Sequence, residues 1–104
     1  MFIQGIFMRD YGCGMRGLLS FQILFLLSKK PMHGEEMAQE IKRRRGEKPK
    51  AGTIYPALKE LNMKGLISRE RKGKIIVYSI TARGRESLRH AMRYFVRSFG
   101  DMLV

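Results

Sequence analysis

The run Leu18-Leu19-Ser20-Phe21-Gln22-Ile23-Leu24-Phe25-Leu26-Leu27 constrains this chain most, because eight of its ten residues are apolar. As a helix it carries apolar side chains on every side, so it must be covered on every side. Ten residues make only about 15 Å of helix, roughly half the hydrocarbon thickness of a bilayer. The run therefore predicts a buried helix over residues 16–29, ended by Pro31, at the centre of a domain or at a subunit interface. Ser28-Lys29-Lys30-Pro31 offers no small-residue cleavage site, which argues against a secretory leader beginning at Met15. A chain of 104 residues with 44% hydrophobic content supports one packed domain.

The rest of the chain must supply the cover. Residues 34–45 predict a second helix with a narrow stripe of Met37, Ala38 and Ile41. Its acids (Glu35, Glu36, Glu40) come early and its cations (Lys42, Arg43, Arg44, Arg45) late, as the helix dipole prefers. The basic run reads either as a solvated helix end or as a phosphate contact. A turn over 47–52 precedes a third helix from about Thr53 to Lys64, with Thr53 as N-cap, Pro56 in the first turn and Gly65 as the stop. Ile54, Leu58 and Leu61 face inward, whereas Tyr55, Pro56, Lys59 and Met63 face sideways or outward. Leu66 to Arg71 and Ile75 to Ile80 predict two strands around the basic turn Lys72-Gly73-Lys74. Thr81 caps a last helix over 82–99 or beyond. There Leu88, Met92, Phe95, Phe99 and Met102 repeat at heptad spacing, a seam that predicts another helix as partner. Arg85, Arg89, Arg93 and Arg97 occupy a different face. The lead, residues 1–15, holds Phe2, Ile3, Ile6 and Phe7 and is expected either to dock on the body or on a second subunit, or to fray.

Lys and Arg total 21 against 9 Asp and Glu, a formal net charge of +12 at pH 7. The charges are grouped by element, which implies a polyanionic partner. One cysteine, Cys13, excludes an intrachain disulfide and fits a reducing compartment; the expected location is cytoplasmic and nucleoid-associated. Catalysis has little to stand on. His33 and His90 are isolated, Asp10 and Asp101 lie near the termini, and no spacing suggests a metal site. Gly12-Cys13-Gly14-Met15-Arg16-Gly17 matches a dinucleotide-binding pattern, but Pro31-Met32-His33-Gly34 cannot supply the second parallel strand that fold needs. No enzyme activity, cofactor or metal is expected, and no membrane partner.

Helix, helix, helix, strand, basic turn, strand, helix is the order of a winged helix–turn–helix: mainly α with a small β-hairpin (α+β). The expected division is a lead over 1–15, a winged helix over 16–81 and a dimerisation helix over 82–104. Thr53, Tyr55 and Lys59 are the candidates for base edges in the major groove. Arg69, Arg71, Lys72 and Lys74 are the candidates for phosphate or the minor groove. Half-buried packing against the wing is the alternative role for Tyr55, and a solvated hairpin tip the alternative for the wing charges. Leu88, Met92, Phe95, Phe99 and Met102 are the candidates for the dimer interface.

Over residues 16–90 the chain resembles the PadR-type transcriptional regulators. The resemblance is carried by Ile23-Leu24-Phe25-Leu26-Leu27, Pro31-Met32-His33-Gly34-Glu35-Glu36-Met37, the specific block Ala51-Gly52-Thr53-Ile54-Tyr55-Pro56-Ala57-Leu58-Lys59-Glu60-Leu61, Gly65-Leu66-Ile67, and Tyr78-Ser79-Ile80-Thr81-Ala82-Arg83-Gly84-Arg85-Glu86. It implies a homodimeric double-stranded DNA binder, usually a repressor, with a C-terminal dimerisation helix, of the short branch with one such helix. Some short members hold flat apolar drugs between subunits against tryptophan. This chain has no Trp, so Tyr94, Phe95 and Phe99 read as packing residues and no effector is assigned. The expected target is a pseudo-palindromic operator. The rival readings are a non-specific architectural DNA protein and a dimeric interaction module whose arginine stripe meets an acidic protein or membrane.

Overall fold

The core forms around the apolar helix α1 (Gly14–Lys29), in which Leu19, Ile23, Leu24, Leu26 and Leu27 are almost wholly buried. Burying each such side chain contributes roughly 1.5–3 kcal/mol, so α1 is the largest single source of hydrophobic stabilisation. The computed structural model describes residues 14–102; the expectation for the lead, and Cys13, lie outside the described residues. Cover is not complete. Leu18 is exposed, and Phe21, Gln22 and Phe25, which share its face at helical spacing, are half-buried.

After Pro31 come a short strand β1 (Met32–His33) and the helix α2 (Gly34–Arg45). His33 caps α2: its Nδ1 accepts from the Glu36 N–H at 3.3 Å, and the Glu36 carboxylate accepts from the His33 N–H at 3.0 Å. This reciprocal pair satisfies two donors that a helix start otherwise leaves open. Met37, Ala38 and Ile41 are buried as the stripe predicts, and Gly46 closes the helix.

The third helix, α3 (Ala51–Met63), begins two residues before the expected Thr53, with Lys50 in the cap position and no side-chain cap. Thr53 is therefore not the N-cap. Its N–H already bonds the Lys50 carbonyl at 2.9 Å, inside the first turn. Pro56 consequently sits in the second turn and removes the bond to the Gly52 carbonyl, which solvent satisfies because Gly52 is exposed. The far end of α3 closes as a Schellman motif: the Leu66 N–H reaches the Leu61 carbonyl and the Gly65 N–H reaches that of Asn62, both at 3.0 Å. That geometry requires the left-handed backbone of Gly65, φ +76°.

Strands β2 (Ile67–Lys72) and β3 (Ile75–Ile80) then form the hairpin. Lys72 pairs with Ile75, so the turn is the two residues Gly73-Lys74, with Gly73 at φ +64°. β1 adds to the other side of β3, giving an antiparallel sheet in the order β1-β3-β2. Two residues are too few to show alternation, so β1 leaves no periodic mark in the sequence.

Helix α4 (Ala82–Phe99) follows β3 after Thr81 alone, and a short 3₁₀ turn, Gly100–Met102, follows it. The Thr81 hydroxyl accepts from the Gly84 N–H at 3.0 Å and donates to the Gly65 carbonyl at 2.7 Å, joining the α4 cap to the α3 stop. The first half of α4 belongs to the core, with Gly84, Ser87, Leu88 and Ala91 buried. A Cβ on Gly84 would overlap the Leu66 carbonyl oxygen and approach Ile80 Cγ1 to 2.7 Å, so only glycine permits this crossing.

Candidate nucleic-acid interface

Helix α3 buries Ile54, Ala57, Leu58 and Leu61 and turns the other side outward. At about 100° per residue, Gly52, Pro56, Lys59 and Met63 fall along the centre of the outward side. All four are exposed, Met63 to 75%. The three predicted reading residues do not form one cluster. Tyr55 and Lys59 are one turn apart and adjacent, whereas Thr53, two residues from Tyr55, lies about 200° around the helix on the opposite flank. Thr53 borders a depression of about 320 Å³ shared with Arg45, Lys48 and Lys50. Met63, absent from the predicted reading set, stands in the central row beside Lys59; its spacing of four residues from Lys59 is the sequence signal that could have found it.

Tyr55 is 47% exposed, and the far end of its ring lies over the first residue of α2. A Cβ on Gly34 would meet the Tyr55 hydroxyl oxygen at 2.6 Å and ring carbons at 2.8 and 2.9 Å. Tyr55 thus packs α3 against α2 as well as bordering the outward face. Tyr78 of β3 is close by. Burial pushes the Tyr78 hydroxyl above the usual tyrosine range; the Arg69 charge works against that rise and Tyr55 adds to it.

The wing cations are all exposed but not equivalent. Arg69 pairs with Tyr78 and Arg71 with Ile76, so both stand on the sheet face that Ile67 and Tyr78 turn toward the helices. Lys72 lies on the other face and Lys74 in the turn. The hairpin therefore offers two arginines along its inner face and two lysines at its tip.

The basic run at the end of α2 is held locally in part. Arg43 and Arg44 both pair with Glu40, whose carboxyl those hydrogen bonds hold below its usual range, and the Arg44 guanidinium lies 5.4 Å from the Phe25 ring centroid. Lys29 approaches the same ring at 5.0 Å. Both guanidiniums stay exposed, so these contacts tie them locally and leave open both the solvated helix end and the phosphate role. The carboxylates along α2 are likewise engaged: Glu35 takes Lys48 at 2.7 Å and Gln39 at 2.9 Å, which lowers its pKa, and Glu36 serves the cap. Among the described residues no group of three or more His, Cys, Asp or Glu is placed to hold a metal ion.

On α4 the predicted seam divides. Leu88 is 8% exposed and belongs to the core of the chain, so it offers little surface to a partner. Met92, Phe95, Phe99 and Met102 are exposed, and Val96, at 60%, widens the face beyond the heptad positions. Phe95 stacks on Phe21 of α1 at 6.4 Å between centroids and meets Phe99 at 5.3 Å, so the face is continuous with Leu18 and Phe21.

A helix–turn–helix with an outward third helix, followed by a basic antiparallel hairpin, defines a winged helix–turn–helix DNA-binding protein. The sequence model of the "Transcriptional regulator PadR-like family" matches residues 23–90, and the chain belongs to that family. It is a transcriptional regulator, not an enzyme. A transcriptional regulator from Thermoplasma acidophilum is similar at 31% identity, covering 86% of this chain and 91% of its own, with a TM-score of 0.69. A PadR family regulator from hypervirulent Clostridium difficile matches at 27% identity over 83% of this chain and 98% of its own, TM-score 0.67. A regulator from Clostridium thermocellum, at 22% identity, shares the fold over 85% of this chain and 92% of its own, TM-score 0.77. Comparison with curated proteins gives no sequence match. Among the described residues no helix is long and apolar enough to cross a membrane.

Proposed function

We propose that the chain acts as a homodimeric repressor on a pseudo-palindromic operator. The observation that carries this reading is the juxtaposition on one body of an outward α3 face and an exposed basic hairpin, each anchored by a buried opposite side. In the complex α3 lies in the major groove, with Lys59 and Met63 central and Tyr55 and Thr53 at the flanks. A lysine there donates to guanine acceptors, and an apolar side chain meets the thymine methyl. Arg69, Arg71, Lys72 and Lys74 hold phosphates and fix the register.

The second subunit docks on the face made by Met92, Phe95, Val96, Phe99 and Met102 with Leu18 and Phe21. A contiguous apolar patch on so small and charged a protein supports an interface. Helix α4 then serves the core in its first half and the dimer beyond it. The two α3 helices meet successive major grooves about one helical turn apart. A body seated across that span represses by occupying the duplex.

Selection from a random duplex library with the full chain tests this. Enrichment of an inverted repeat with half-sites about one turn apart is the expected result. Salt-sensitive recovery of duplexes with no shared sequence would instead indicate an architectural protein. Recovery of no duplex at low salt would indicate a protein-interaction module.

A further inference from the structure

We propose that Gly34, which lies on α2 outside the groove-facing surface, is a positioning residue for sequence reading, because its missing Cβ is the seat of the Tyr55 ring. This rests on the assignment of Tyr55 to the reading surface made above. The three atoms nearest to where a Gly34 Cβ would stand are the hydroxyl oxygen, Cε1 and Cζ of Tyr55, all within 2.9 Å. Gly34 has no need of glycine for its own backbone, since it opens a helix and is not among the positive-φ residues. The close approach of the ring is what excludes a side chain there.

The seat lies where three elements meet. Gly34 follows directly on His33, whose capping box fixes the start of α2. Met32, just before, pairs with Tyr78, and Tyr78 pairs with Arg69 on its other side. The Tyr55 ring thus rests on the α2 start, with Tyr78, the residue that bridges β1 to the wing, close by. Held there, Tyr55 has one orientation relative to Lys59, the next residue along its face, and to Arg69 on the inner side of the wing. Filling the seat moves the far end of an exposed side chain and no backbone. Gly34→Ala therefore leaves the fold in place and turns the tyrosine away from its reading position.

The test is a double-mutant cycle in the full chain: wild type, G34A, Y55A and G34A/Y55A, each titrated against the duplex selected by wild type and against a scrambled duplex of equal length. G34A should lose operator preference on the order of tenfold, the size of one lost specific contact, with affinity for the scrambled duplex unchanged. Y55A should show a similar loss, and the double variant no more than Y55A alone. A G34A protein with wild-type preference overturns the proposal, as does a G34A effect that persists undiminished in the Y55A background. If Y55A keeps full preference, the reading role of Tyr55 fails and the proposal with it, an outcome told apart from the first two by that variant alone. Should G34A melt well below wild type, G34A/Y55A must melt no lower than Y55A alone, since the added methyl then meets no ring; a further drop in the double variant overturns the seat.

Discussion

Replacing Lys72 and Lys74 together by Ala gives a quantity that the wing geometry fixes. Both lie at the exposed hairpin tip, and neither takes part in an ion pair among the described residues. Their removal leaves the fold intact, which a circular dichroism melt checks. Each phosphate contact contributes about 0.9 to the slope of log K against log salt on B-form DNA. Two lysines on each of two wings make four contacts, so the slope should become shallower by roughly 3.6. Between 50 and 200 mM salt the logarithm changes by about 0.6, and the double variant should therefore lose ~150-fold less affinity than wild type over that interval. Fluorescence anisotropy of a labelled duplex across a KCl series reads this directly, and the same loss should appear on operator and scrambled DNA. A change of about 1.8 would mean two contacts per complex, from one wing alone or one lysine on each. An unchanged slope would refute the reasoning and remove the tip from the interface.

Thr81→Val removes a helix cap and a second hydrogen bond while keeping the shape of the side chain. It should cost about 2 kcal/mol, a melting decrease on the order of 10 °C at fixed protein concentration, while Thr81→Ser stays near wild type. Gly84→Ala forces α4 away from the Leu66 carbonyl and should cost at least about 3 kcal/mol in urea unfolding; a near-neutral result would mean the helix crosses elsewhere. Phe95→Asp places a charge in the apolar face of α4 and should yield monomers by sedimentation, with operator affinity falling in parallel. A dimer that survives this change would move the interface off α4.

What was legible in the sequence followed from periodicity and chain breakers. The apolar α1, the Met37-Ala38-Ile41 stripe, the Gly65 stop and the Thr81 cap each rest on local chemistry, and each has its place in the fold. The start of α3 was not legible, because Thr53 is a good capping residue on its own and nothing local shows that the chain turns helical at Ala51. Strand β1 escaped because two residues carry no alternation. At the interface, residue types were legible and their grouping was not. Thr53 and Tyr55 look like neighbours in the chain, yet helical rotation parts them. Leu88 fits the heptad as well as Phe95 does; only its burial in the fold shows that it packs into the core of the chain. The seat of Tyr55 on Gly34 joins residues far apart in the chain, which no local pattern reveals.

The junction at Thr81 would set a mechanical limit on the proposed dimer. One residue separates the wing from α4, and its hydroxyl ties that helix to the end of α3. In a dimer closed through α4, the distance between the two reading surfaces is then carried by a stiff strut with no hinge to absorb error. Such a ruler tolerates little variation in its target. One inserted base pair between half-sites moves them about 3.4 Å apart and rotates one around the duplex, a mismatch that a flexible tether would forgive and this connection would not.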